Sequence, residues 1–125
     1  MALALKRGFG PSNSRLLTVR GRTSGRPYTT PVNLVLRDGK RYLVAPYGEP
    51  GWATNARAAG EVALHRGKLQ ESLQVEELGA TEAVPVLRQY YQENPITRGF
   101  FDVDASSTDG AFRAEAPRHP VFRLK

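Results

Sequence analysis

Cysteine is absent from this 125-residue chain, so there is no disulfide framework, no thiolate metal site and no cysteine nucleophile. No apolar run approaches the roughly 20 residues that a membrane-spanning helix needs. Histidine is scarce: His65 and His119 stand far apart and beside no carboxylate cluster, which gives a metal centre no support. Asp102 and Asp104 resemble a ligand pair only superficially, since their neighbours are poor ligands. No Gly-x-Ser-x-Gly elbow frames Ser14 or Ser24. The glycine signatures of dinucleotide and nucleoside-triphosphate sites do not occur either. Acidic residues are thin in the first half: residues 1–66 carry eleven Lys/Arg against three Asp/Glu, and residues 67–125 seven against nine. The net charge of +6 is therefore concentrated on one half of the chain. That sign of field favours an anionic partner, whether nucleic acid, a membrane surface or an acidic small molecule. The first residues put Lys6 and Arg7 after a very short apolar piece, which is not a secretory signal and fits a cytoplasmic protein.

What the chain does have is glycine and proline at telling places. Gly21, Gly25 and Pro27 bracket Arg22, Thr23, Ser24 and Arg26, directly after the apolar run Leu16–Val19. Glycine admits positive φ and proline fixes φ, so the chain turns sharply here. Successive amides in such a turn make a concave anion site, and the arginines and hydroxyls add donors. The plainer reading, a basic hairpin turn between two strands, stands beside it. A second candidate region runs from Tyr47 through Gly48 to Trp52 and Asn55, where a helix start offers donors and a positive dipole. Trp52, the one tryptophan, serves there either as a wall for a flat ligand or as an anchor of the helix.

Along the chain, residues 1–14 read as a loose arm of a single domain. Residues 16–20 form a first strand, and Tyr28, Thr30, Val32, Leu34 and Leu36 alternate onto one face of a second. Pro31 within that run marks an edge or an opening in the sheet. Asp38-Gly39 signals a hairpin with a return strand to Ala45. A short helix spans Trp52 to Ala59 and stops at Gly60. Two strands follow, over 61–66 and 69–76, the second with Leu69, Leu73 and Val75 on one face. Thr81 caps a helix to Glu93, with Pro85 in its first turn and Val84, Leu87 and Tyr91 inward. Phe100-Phe101 forms an apolar anchor, residues 104–110 a loose polar segment, and Val121 to Leu124 a last strand. The pattern predicts a mainly β, α+β fold: an antiparallel split β-barrel with a short and a longer helix at its ends.

The motif Leu-Leu-Thr-x-x-Gly-Arg-Thr-Ser-Gly-Arg-Pro-Tyr-Thr-Thr-Pro-Val (Leu16 to Val32), the stretch Leu36 to Ala45 and Trp-x-x-Asn (Trp52 to Asn55) occur in that order. Together they resemble the deazaflavin-dependent nitroreductases, or quinone reductases, of actinobacteria. The resemblance covers about residues 15–93. It implies an FMN-binding-like split barrel that holds coenzyme F-420, an 8-hydroxy-5-deazaflavin with an anionic phosphate and polyglutamate tail. It implies hydride transfer from the reduced coenzyme to a quinone, nitro compound or enone. On the tail side it implies Arg22, Thr23, Ser24, Gly25, Arg26 and Pro27. On the ring side it implies Ala45, Pro46, Tyr47 and Gly48, with Trp52, Ala53, Thr54 and Asn55. Tyr47, Tyr90 and Tyr91 are candidates on the acceptor side. The chain departs from the family where charge matters. Thr23 and Tyr28 stand where lysine and arginine are usual, and Pro46-Tyr47-Gly48 where Ser-Lys-Gly is common. Each missing cation removes a charge-assisted hydrogen bond of about 1.5–3 kcal/mol.

FMN is accordingly an alternative cofactor. Two other readings come from different classes: a cofactor-poor relative that takes a lipid or other apolar ligand in the barrel groove, and a basic barrel for nucleic acid. Few strand aromatics and no stacking platform weigh against nucleic acid. The expected partner is a small-molecule electron acceptor, with peripheral membrane contact compatible and either a monomer or a homodimer as the assembly.

Overall fold

The structure, a computed structural model, describes residues 13–48 and 51–125. Most of the expected arm, and Glu49 and Pro50 of the ring-side loop, lie outside the described residues. Ser14, read as the end of that arm, opens the first strand instead.

Among the described residues seven strands form one sheet: β1 (Ser14–Arg20), β2 (Pro27–Asn33), β3 (Val35–Arg37), β4 (Lys40–Val44), β5 (Glu61–Arg66), β6 (Leu69–Glu77) and β7 (Val121–Leu124). Their order is β2-β1-β5-β6-β7-β4-β3, and every pairing is antiparallel. β6 bridges the two halves: Leu69 to Gln74 pair with β5, and Val75 to Glu77 pair with β7. The sheet therefore curls into a split β-barrel rather than staying flat. Among the described residues the helices are α1 (Trp52–Ala59), α2 (Ala80–Glu93) and α3 (Asp109–Glu115), with 3-10 turns at Pro95–Phe100 and Ala116–Arg118. Among the described residues, no helix is long and apolar enough to cross a membrane.

Local chemistry explains the sharpest boundaries. Asp38 and Gly39 both take positive φ, 51° and 74°, the primed turn that matches strand twist. Gly60 ends α1 with φ 75°, its amide bonded to Ala56 O at 2.8 Å. Pro31 falls on β2, an edge of the sheet, where a missing donor does not break the ladder.

Two apolar clusters share the sheet. Leu17, Val19, Leu43, Leu64 and Phe122 fill the barrel beneath α1. Val35, Val44 and Val121 lie on the other side, packed with Leu87 of α2 and Phe112 of α3. Neighbouring residues of β4 and of β7 thus face opposite cores, so both strands are buried on both faces.

Several expectations are corrected. The alternation from Tyr28 to Leu36 slips at Leu34: Leu34 and Val35 are both buried, and Leu36 is exposed. Leu69 lies at the rim of β6, exposed, while Leu73 and Val75 pack on the barrel core. Gly79, not Thr81, occupies the cap of α2, which moves Pro85 into the second turn. Phe101 is buried and Phe100 is not. The stretch 104–110 is organised: Asp104 Oδ1 accepts from the amide and hydroxyl of Ser106, and Thr108 Oγ1 caps α3 at Ala111 N.

Candidate functional site

The turn after β1 is braced from within. Gly21 N donates to Arg26 O at 2.7 Å, and Gly25 N to Gly21 O at 3.0 Å. The Arg20 guanidinium donates to Gly25 O, and Arg26 N donates to Ser24 Oγ, which also meets Tyr28 Oη. A Cβ at Gly21 would lie 2.7 Å from the Tyr28 ring and 2.9 Å from Ser24 Oγ, so both side chains would have to shift. Gly25 takes φ 71°. These bonds use four of the six amides from Gly21 to Arg26; Thr23 N and Ser24 N bond to nothing among the described residues. Thr23 and Arg26 are exposed, and Pro27 starts β2 opposite Arg20.

One side chain ties this turn to the tryptophan-led helix. Asn55 Oδ1 accepts from Arg22 N at 3.2 Å and from the Arg22 guanidinium at 2.8 Å. Asn55 itself is buried, so the guanidinium is held in place rather than free to swing.

From there β2 and α1 lead to an open cleft of about 720 Å³. One wall is Thr30 to Leu34 with Trp52; Pro46 and Tyr47 form another; Tyr90 and residues 93–97 close the third. Strand rise puts the turn and the cleft floor roughly 10–13 Å apart along β2. Trp52 meets both of its readings, since it lines the cleft and packs against Phe122, ring centroids 5.7 Å apart. Tyr47 is 66 % exposed at the mouth, edge-on to Phe100 at 4.6 Å. Gly48 takes φ 74° and lies tight against Arg118 O.

Not every expected residue reaches the cleft. Ala45 and Ala53 are buried in the barrel core and do not line the cleft. Thr54 Oγ1 is buried with no hydrogen-bond partner among the described residues. Tyr90 lines the cleft, and burial pushes its phenol up to about 12, so it keeps its proton at neutral pH. Tyr91 does not line it; it packs against Phe101 and Phe112. The wall of Asn94, Pro95, Ile96 and Thr97 went unseen in the sequence, where Asn94-Pro95 signals only the end of a helix.

A family model described as F420H(2)-dependent quinone reductase matches residues 6–112. The chain belongs to this family. The family is one of deazaflavin-dependent oxidoreductases, and the chain is such a reductase. Solved structures agree on the fold. An F420-H2 dependent reductase (FDR-A) superposes with TM-score 0.64 at 22% identity, over 91% of this chain and 95% of that one. A protein described as a domain-swapped dimer gives TM-score 0.64 at 20% identity, over 99% and 92%. An FAD-binding protein from Mesorhizobium loti gives 0.56 at 16%, over 99% and 88%. Among curated protein sequences none matches this chain. The residues present suit the family's coenzyme: two unbonded amides beside Arg22 and Arg26 for an anion, and an apolar cleft beside Trp52 for a flat ring.

Proposed function

We propose that the chain uses reduced coenzyme F-420 to reduce a quinone-type acceptor in the cleft between β2 and the Asn94–Thr97 wall. The carrying observation is the Arg22–Asn55 bond, which joins the basic turn to the start of α1. On this reading Thr23 N, Ser24 N, the Thr23 hydroxyl, Arg22 and Arg26 hold the acidic end of the coenzyme. Gly25 and Pro27 shape that turn. Trp52, Pro46, Tyr47 and Gly48 flank the ring. Thr54 and Asn55 act from the helix behind it. Bound, the coenzyme supplies a hydride, and one proton from solvent completes the two-electron reduction of a quinone to a hydroquinone. The chain orients and shields: Trp52 and Val32 exclude water, and the Tyr90 phenol offers a hydrogen bond to an acceptor oxygen. The exposed Tyr47 ring extends the apolar wall toward the acceptor. The domain-swapped neighbour supports a homodimer as the assembly.

The test mixes reduced coenzyme, menadione and protein without oxygen, with reduced FMN in parallel. Protein-dependent oxidation of the coenzyme, with KM raised at least about tenfold and kcat changed far less in Arg22→Ala, supports the reading. No protein-dependent oxidation refutes it, and oxidation of FMN alone moves the assignment to a flavin.

A further inference from the structure

His119 and Glu115 are both buried, far along the chain from every candidate above, and they face each other at 2.7 Å through Nε2 and Oε1. The other ring nitrogen, Nδ1, lies 2.8 Å from Pro46 O. A carbonyl only accepts, so Nδ1 carries a hydrogen and donates it. On the other side of the ring, Nε2 is hydrogen-bonded to the Glu115 carboxyl. The ring therefore bridges α3 to the loop that walls the cleft.

The same segment grips that loop at two more points. Ala45 N donates to Pro120 O at 2.9 Å, and Gly48 lies so near Arg118 O that a Cβ would fall 2.9 Å from it. Residues 118–120 thus template the path from Ala45 to Gly48. The ring also stacks on Phe101, centroids 3.9 Å apart, and Glu115 Oε1 accepts from Asp102 N at 3.1 Å. Phe100, the next residue back, carries the edge contact to Tyr47. The Pro46–Tyr47 wall is in this way tied to the buried pair directly, through Pro46 O, and its Tyr47 ring meets the residue next to the stacked Phe101.

We infer that His119, oriented by Glu115, is a positioning residue that fixes the Pro46 carbonyl and so sets where Tyr47 stands at the cleft mouth. Its effect on coenzyme binding rests on the reading under Proposed function; its effect on the loop does not.

Two substitutions separate this role from mere filling of the core. An asparagine amide falls near the Nδ1 position of histidine, and a glutamine amide near Nε2. His119→Asn keeps the donor toward Pro46 O; His119→Gln keeps the one toward Glu115. Both lose the stacking on Phe101. Hydrogen exchange at the Gly48 amide is expected to stay within about threefold of wild type in His119→Asn and to speed at least about tenfold in His119→Gln. Coenzyme affinity is expected to follow the same order. Equal exchange in the two variants overturns the proposal. Wild-type protein gives a test that needs no variant to fold: nitrogen-15 spectra of labelled histidine must show Nδ1 of His119 protonated, and a bare Nδ1 overturns the proposal. Should wild type bind no deazaflavin while the exchange order holds, the positioning stands and the coenzyme reading falls.

Discussion

One oxygen, Asn55 Oδ1, holds the glycine turn to α1, which makes Asn55→Ala the sharpest perturbation of the site. The variant strands an amide and releases a guanidinium. A neutral hydrogen bond contributes about 1 kcal/mol, and the bond to exposed Arg22 about 1.5, because that guanidinium regains water. The sum, about 2–3 kcal/mol, corresponds to a fall in Tm of roughly 8–12 °C for a domain of this size. Coenzyme affinity should drop at least about tenfold, since Arg22 no longer points one way. Asn55→Asp separates the two effects. Its carboxylate still accepts both bonds, so Tm stays within a few degrees, yet it neutralises Arg22 and lowers affinity for an anionic ligand by about tenfold. Thermal melts and fluorescence titrations of the two variants decide the matter. Unchanged affinity in Asn55→Ala, or tighter binding in Asn55→Asp, refutes the reasoning.

Other outcomes follow from single contacts. Gly48→Ala combines left-handed strain with a Cβ pressed on the Arg118 carbonyl, and chemical denaturation should show a loss of about 2–3 kcal/mol. Thr23→Lys restores a cation on an exposed turn position; coenzyme affinity should rise about tenfold at low salt and the gain should shrink as salt is added. The Tyr90 phenol ionises near 12 in the fold against 10.0 for an ordinary tyrosine. Unfolded chains release that proton first, so the stabilisation is complete below pH 10 and is lost as pH rises toward 12, by about 2.7 kcal/mol at most. Ultraviolet titration should show one late phenol, absent in Tyr90→Phe.

Much of this was legible because its causes are local. Asp38-Gly39, the helix from Trp52 to Gly60 and the strand Val121 to Leu124 each follow from a few adjacent residues, and each stands where the pattern put it. The glycine turn was legible for the same reason, but the Arg22–Asn55 bond that ties it to α1 joins residues 33 positions apart and was not. What escaped depends on partners far away in sequence. The slip at Leu34 comes from the sheet changing cores, which no period-two pattern records. Helix α3 is seven residues long and is held by Phe112 packing rather than by propensity. The burial of the Ala53 side chain in the barrel core was not legible either, since its place in the motif says nothing of which helix face packs inward. His119 gave the sequence reading no role, because nothing in its neighbourhood hints at Pro46, 73 positions away.

The most direct measurement compares oxidised coenzyme F-420 with its phosphate-free deazaflavin core by fluorescence titration, in wild type and Arg22→Ala at two salt concentrations. If the Gly21–Pro27 turn receives the acidic end, the coenzyme binds wild type at least about tenfold tighter than the core, and the preference collapses in Arg22→Ala and in high salt. Equal binding of the two compounds to wild type, or a preference untouched by Arg22→Ala, contradicts it.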